Sequence, residues 1–235
     1  MLFQEITKLQ PQNFFINPFN QFVKSFSEYS AVFFPSFNIL NIINQGKATF
    51  TKVQGYSYPL TTLNKLKGYF NNLMFGNATS VVTNISVGLE TSLIIINIHL
   101  TPFERSKVER ELQLKYIFNI VVEEYKKGSY VLIGGDWNMD MPITKKDNRY
   151  KSIGSSIPKD LLAIFNKDQW RLAFPETPTL RDLGTPYSDK SLMSCIDGFL
   201  LSHNIKMLDI GTVNDFRYSD HCPVVIKIKL KDNNK

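Results

Sequence analysis

Cysteine is almost absent from this chain: Cys195 and Cys222 are the only two in 235 residues. Two are too few for the disulfide framework of a small secreted domain, and the ordinary state of such a pair is two buried free thiols. A reducing compartment is the expectation. Met1-Leu2-Phe3-Gln4-Glu5 carries no basic flank ahead of an apolar run, so no signal peptide is read there, and the expected location is intracellular, in the cytoplasm. Long apolar runs are missing as well. Apolar runs such as Leu93 to Ile96 are far below the roughly 20 residues that cross a bilayer, so a soluble chain is expected. No repeat and no Gly/Ser or charged linker divides the sequence, which argues against a solenoid or tethered modules.

What is present is enough to build a core. Hydrophobic residues make up 43% and charged residues 20%, a globular balance, and this length suits one domain over residues 1–235. Twenty-seven Lys and Arg against 21 Asp and Glu give a net charge of +6, which favours a polyanionic partner without naming it.

Short runs rich in β-branched or aromatic residues, bounded by Gly, Pro or Asn, predict strands at Leu2 to Ile6, Ser30 to Phe34, Lys47 to Val53, Ser80 to Val87, Ser92 to Leu100 and Tyr130 to Ile133. Thr101-Pro102-Phe103-Glu104 predicts a helix start with a capping box, and Lys126-Lys127-Gly128 a helix stop. Between them Val108, Leu112, Ile117, Ile120 and Val121 recur near helical spacing and predict the buried face. The last strand, Val224 to Leu230, alternates Val224, Ile226, Ile228 and Leu230 with Val225, Lys227 and Lys229, implying one buried face and one wet one. Strands outnumber helices and both occur throughout. The prediction is an α+β fold, two sheets flanked by helices, rather than a doubly wound parallel sheet.

Four predicted strands end in hard oxygen or imidazole groups: Gln4-Glu5, Asn97-Ile98-His99-Leu100, Gly134-Gly135-Asp136-Trp137-Asn138 and Ser219-Asp220-His221-Cys222-Pro223. A fifth segment, Cys195-Ile196-Asp197-Gly198-Phe199, puts an acid inside an apolar strand, where it needs a partner. Each has a plain structural reading. Glu5 suits a solvated surface acid, Asp136 and Asn138 an Asx turn or helix cap, and His99 a satisfied structural histidine. The set reads differently. Two of only three histidines fall in these segments, His203 being the surface exception. Glu5, Asp136, Asn138 and Asp220 supply carboxylates and an amide that suit Mg²⁺ or Mn²⁺, and such a cation beside imidazoles is apparatus for cleaving a phosphoester.

In order and wording, these five motifs resemble the endonuclease/exonuclease/phosphatase superfamily: Gln-Glu after an apolar strand, Asn-x-His-Leu, Gly-Gly-Asp-x-Asn, Ile-Asp, and a terminal Ser-Asp-His-x-Pro-Val. Smaller echoes are Gly46-Lys47-Ala48, and Arg110 with Gln113 on the helix. The stretch IDGFLLSH followed by SDHCP is similar to the apurinic/apyrimidinic branch; His99 is similar to the DNase I, sphingomyelinase and phosphatase branches. The resemblance implies a four-layer α/β/β/α sandwich of two mainly antiparallel sheets. It implies that Glu5, Asp136 and Asp220 serve the metal, Mg²⁺ or Mn²⁺, and that Asp136 orients or deprotonates the attacking water. Asn138 would hold the nucleophile or a phosphoryl oxygen, and His99 would donate to the phosphoryl group. His221 would bind phosphate with its tautomer fixed by Asp197. In the family a strand ending in Asn precedes the Gln-Glu strand, so a domain short by that strand, with a sheet edge beside Leu2 to Ile6, is expected.

The function this implies is a metal-dependent phosphodiesterase acting on nucleic acid, as a monomer, with Lys145-Lys146 and Arg149-Tyr150-Lys151 meeting backbone phosphates. Two alternatives stand beside it. One is hydrolysis of a sphingolipid or inositol-phosphate headgroup, with Phe14-Phe15, Phe33-Phe34 and Phe37 as a membrane-facing rim. The other is an inactive relative acting as a binding module.

Overall fold

The computed structural model describes residues 1–9, 17–39, 43–61, 78–102, 107–143, 148–167, 170–182, 187–188, 190–213 and 216–231. Glu104 of the predicted capping box, Phe14-Phe15 and Lys145-Lys146 lie outside these residues. The chain divides into two compact units, Met1–His99 with Tyr116–Gly135, and Leu100–Lys115 with Asp136–Lys235.

In the first unit, β1 (Leu2–Leu9), β2 (Ser30–Ile39) and β3 (Ile43–Thr51) form an antiparallel sheet in the order β1-β3-β2, which leaves β1 at an edge. Helix α1 (Pro18–Ser25) starts where Asn17 accepts the Asn20 N–H at 2.9 Å and Pro18 occupies the first turn. Phe19, Ile6, Ala48 and Phe50 form a buried cluster, with Phe3, Phe22, Phe26 and Phe33 packed against it. The rings meet at tilted and edge-on angles, Phe3 lying 5.3 Å from Phe50 and Phe19 5.3 Å from Phe33, geometries aromatic pairs favour. Phe33 therefore serves the core and not a rim.

The same unit holds β4 (Tyr56–Thr61), β5 (Ala78–Ser86), β6 (Ser92–His99) and β7 (Tyr130–Asp136), side by side in that order, with β4-β5 and β5-β6 antiparallel. Val131 to Gly134 are all buried, as a near-continuous apolar run predicts for a covered strand. Helix α2 spans Lys107–Lys126. Its buried face is the predicted one only in part: Ile117 and Val121 are buried as expected, but Val108 is 69% and Leu112 41% exposed, and Arg110, Gln113, Leu114 and Phe118 are buried instead. The shift has a polar cause. Arg110 donates to the Thr101 carbonyl at 2.9 Å and to Ser155 Oγ at 2.9 Å, and Gln113 donates to Thr101 Oγ1 at 2.6 Å. Satisfied polar groups can be buried, and these turn the first turns of the helix inward on a side that an apolar count misses.

The second unit contains α3 (Lys159–Lys167), β8 (Arg171–Ala173), β9 (Leu180–Arg181), β10 (Met193–Ser194), β11 (Asp197–Leu201), β12 (Ile205–Thr212) and β13 (Val224–Leu230). The pairs β11-β8, β10-β9 and β12-β13 are antiparallel. Along β13 half-buried and exposed residues alternate, matching the two faces read from sequence. Mainly antiparallel sheets with few helices make this an α+β chain. Cys195 and Cys222 are free, buried thiols. Among the described residues no helix is long and apolar enough to cross a membrane.

Gly128, after α2, has φ +92° and nothing within 4 Å of the Cβ position, so it supplies only the left-handed turn. Gly135 has φ +137° and sits so close to the Ile98 carbonyl that a Cβ would overlap its oxygen. Gly128→Ala is expected to cost about 1–2 kcal/mol in urea unfolding. Gly135→Ala is expected to cost more than ~3 kcal/mol or abolish folding; equal costs would refute the close-approach account.

Candidate functional site

The second unit gathers three groups. β7 ends at Asp136, whose carbonyl accepts the Leu100 N–H at 3.0 Å, and the next residue locks the turn. Trp137 is fully buried; its backbone N–H donates to the Ile196 carbonyl at 3.0 Å and its indole to the Gly198 carbonyl at 3.1 Å. Asn138 then takes φ +48°. Its backbone N–H donates to Asp136 Oδ1 at 2.7 Å, forming the Asx turn, and its side-chain amide donates to the Leu100 carbonyl at 2.8 Å and to Asp136 Oδ2 at 3.3 Å.

Asp197 opens β11 and is buried, and the N–H groups of Ile196 and Asp197 both donate to Thr179 Oγ1, at 3.0 and 3.2 Å. His221 lies on the connection between β12 and β13, which Thr179 also holds by accepting the Cys222 N–H at 2.8 Å. The imidazole stands between two carboxylates, with Nδ1 3.0 Å from Asp197 Oδ2 and Nε2 3.9 Å from Asp136 Oδ2. Burial works against the charged ring, but the Asp197 hydrogen bond and the charges of Asp197, Asp136 and Asp220 outweigh it, raising its pKa to about 9. At neutral pH the ring is an imidazolium, donating from Nδ1 to Asp197.

The first unit brings Glu5 and His99 together. Glu5 has φ +52° within the register shift of β1 between Phe3 and Ile6, and its carboxylate reaches 3.9 Å from His99 Nε2. Gln4 donates to Asn97 Oδ1 at 2.7 Å; Asn97, fully buried, donates to the Phe3 and Ala48 carbonyls at 3.1 Å each. The amide pair thus ties the bulged strand to β6 two residues before His99.

Glu5 and Asn138 are the two non-glycine residues with positive φ among the described residues. Such backbone is disfavoured by about 1–2 kcal/mol per residue and persists only where surroundings impose it. Both are residues that the motifs single out.

The ligating atoms of Asp136, Asp197 and His221 lie within 4.8 Å of one another. The spare oxygen lone pairs of Asp136 suit a Mg²⁺- or Mn²⁺-sized cation, whereas the His221 imidazolium carries N–H on both nitrogens and is a donor rather than a ligand. The Asp220 carboxylate is not in that set. Its carbonyl accepts the Arg181 N–H at 2.8 Å, and its charge acts on His221. Lys145 and Lys146 lie outside the described residues. Sequence reasoning missed Thr179 as the organiser of Ile196, Asp197 and Cys222, because a lone threonine after Pro178 carries no motif. Asn97 and Gln4 stood inside quoted motifs, but their pairing is a long-range contact.

No family model matches the sequence, and no curated protein matches it. Solved structures do. An endonuclease/exonuclease/phosphatase family protein from Leptotrichia buccalis C-1013-b superposes with a TM-score of 0.64 at 14% identity, covering 97% of this chain and 86% of that one. The chain has the endonuclease/exonuclease/phosphatase fold. The Xenopus laevis APE2 catalytic domain gives 0.59 at 19% identity over 88% of this chain and 78% of its own. D. rerio TDP2 complexed with a single-strand DNA product gives 0.58 at 14% identity, covering 97% and 84%. The resemblance read from the motifs and the α+β class agree with this endonuclease/exonuclease/phosphatase fold.

The raised pKa of His221 fixes a pH dependence. A folded-state value of about 9 above the ordinary 6.5 gives stability that is complete below pH 6.5 and lost as pH rises through 9. In EDTA, raising the pH from 6.5 to 9.5 should lower unfolding free energy by on the order of 1–2 kcal/mol more in the wild type than in Asp197→Asn, allowing for the partial exposure of the ring. Parallel urea profiles for the two proteins would remove the ion pair from the account.

Proposed function

We propose that this protein is a divalent-metal-dependent phosphodiesterase that hydrolyses nucleic-acid phosphodiester bonds by in-line attack of water. The observation that carries the reading is the imidazole of His221 held between Asp197 and Asp136. Nothing in a purely structural role requires a third-exposed ring to be flanked by two acids. A bound Mg²⁺ or Mn²⁺, with Asp136 and Asp220 as its proposed ligands, would supply neutralisation of charge on the phosphoryl oxygens.

The chain's own groups do the rest. His221, as imidazolium, donates to a phosphoryl oxygen and stabilises the charge that develops there, while Asp197 fixes the ring and keeps Nδ1 protonated. Asp136 orients the attacking water and accepts its proton. Both amide hydrogens of Asn138 are directed at Leu100 and Asp136, so Asn138 Oδ1 is the atom left to accept from that water. His99 donates to the phosphoryl group or the leaving oxygen. The water oxygen bonds to phosphorus, the P–O ester bond breaks, and the leaving oxygen takes a proton. The lipid-headgroup alternative has less support, since Phe33, one of its rim residues, packs in the core.

Supercoiled plasmid and an abasic duplex, each with Mg²⁺ and with EDTA, test the reading. Metal-dependent cleavage is expected, with Asp136→Asn and His221→Ala each slower by at least ~100-fold. Wild-type cleavage no faster than His221→Ala would overturn it. Calorimetric titration with Mn²⁺ separates a binding module from an enzyme, since intact metal binding without cleavage favours the former.

A further inference from the structure

The β12-β13 hairpin, whose connection carries Ser219-Asp220-His221, has an unusual outer face. Its register sets Lys206 directly opposite Lys229, with Lys227 two residues along the same strand. All three lysines are exposed, and among the described residues none forms an ion pair. Like charges directly opposite one another destabilise an antiparallel pair. Asp209 stands opposite Lys227 and offsets part of its charge without an ion pair, its Oδ1 accepting the Ile210 N–H at 2.9 Å, which leaves the facing Lys206 and Lys229 as the unbalanced pair. A strand pair that keeps two facing ammonium groups free is complementary to a phosphate that bridges them.

We propose that Lys206, Lys227 and Lys229 form an accessory binding surface for the phosphate backbone of a nucleic acid, separate from the reacting phosphate. The identity of the anion rests on the function proposed above. The geometry adds a length. The Thr212–Val224 pair closes the hairpin at its His221 end, and Lys229 lies five residues further along β13, about 17 Å at the usual strand rise. At about 3.4 Å per stacked nucleotide of one strand, that spans about five nucleotides. A substrate must extend that far from the His221 end of the hairpin to reach the facing Lys206 and Lys229, whereas a dinucleotide stays short of all three lysines.

The test is binding in EDTA, where no cleavage is needed. Fluorescence anisotropy with a duplex of about 20 base pairs, across a salt series, is expected to show log affinity falling linearly with log salt. Lys206→Ala/Lys229→Ala should weaken binding about tenfold at low salt and flatten the slope by up to ~1.8, near 0.9 per lost phosphate contact. Lys206→Arg/Lys229→Arg should restore both, and dinucleotide cleavage with Mg²⁺ should be unchanged. Unchanged duplex affinity and slope in the alanine pair would overturn the proposal. So would loss of binding to phosphatidylserine vesicles with duplex binding intact, which would assign the surface to a membrane. Absence of cleavage with the binding defect intact would count against the catalytic reading alone.

Discussion

A carboxylate placed in an apolar strand must be paired, and the contact between Asp197 and His221 meets that requirement. Leaving Asp197 ionised and alone would cost several kcal/mol, so the loop between β12 and β13 cannot detach its histidine cheaply. The same contact settles the protonation state of the ring and faces its other nitrogen toward Asp136. Thr179 makes the arrangement rigid, because its hydroxyl and carbonyl hold both the strand that carries Asp197 and the residue after His221. One ion pair therefore links the stability of the second unit to the geometry of the candidate site.

Backbone strain has been placed beside these groups. Asn138 reaches its left-handed conformation because Trp137, buried and bonded at both nitrogens, leaves the turn no room to relax. Glu5 reaches its own because Gln4 is fixed to Asn97 and the register of β1 breaks around it. Both residues keep their side chains near titratable partners at the expense of local backbone preference. That is the pattern expected where position matters more than propensity.

Much of this was legible in the sequence, and the exceptions share a cause. Strand ends at His99 and Asp136 show up because apolar runs stop abruptly at polar residues, whereas Glu5, read as the end of its strand, lies inside β1 at the register shift. The unpaired acid of Asp197 shows up because its cost is local knowledge. The buried face of α2 was misread because Arg110 and Gln113 are polar, and only the distant Thr101 and Ser155 make their burial affordable. Helix α1 was missed although Asn17-Pro18 is a start signal and Phe19, Phe22, Val23 and Phe26 recur at helical spacing, because the stripe lasts only two turns among Asn, Gln and Lys. Pairings as short as β9-β10 depend on contacts far apart in sequence and leave no periodicity to find.

Under the proposed function, charge gives the cation its part. Asp136, Asp197 and Asp220 bring three negative charges and the His221 imidazolium one positive charge, a local sum of −2 from the ionised forms. A phosphate carries negative charge and would be repelled by that sum, more strongly as the approach removes water and lowers the effective dielectric. A divalent cation cancels −2. Under the proposed function, Asp136 and Asp220, two of the carboxylates that raise the histidine pKa, would also hold the cation, and the imidazolium paired with Asp197 would be left as the donor facing the phosphate. Under the same proposal the surplus of lysine and arginine in the rest of the chain would draw in a polyanion, while the acidic cluster would be suited to a metal-bound phosphoryl group.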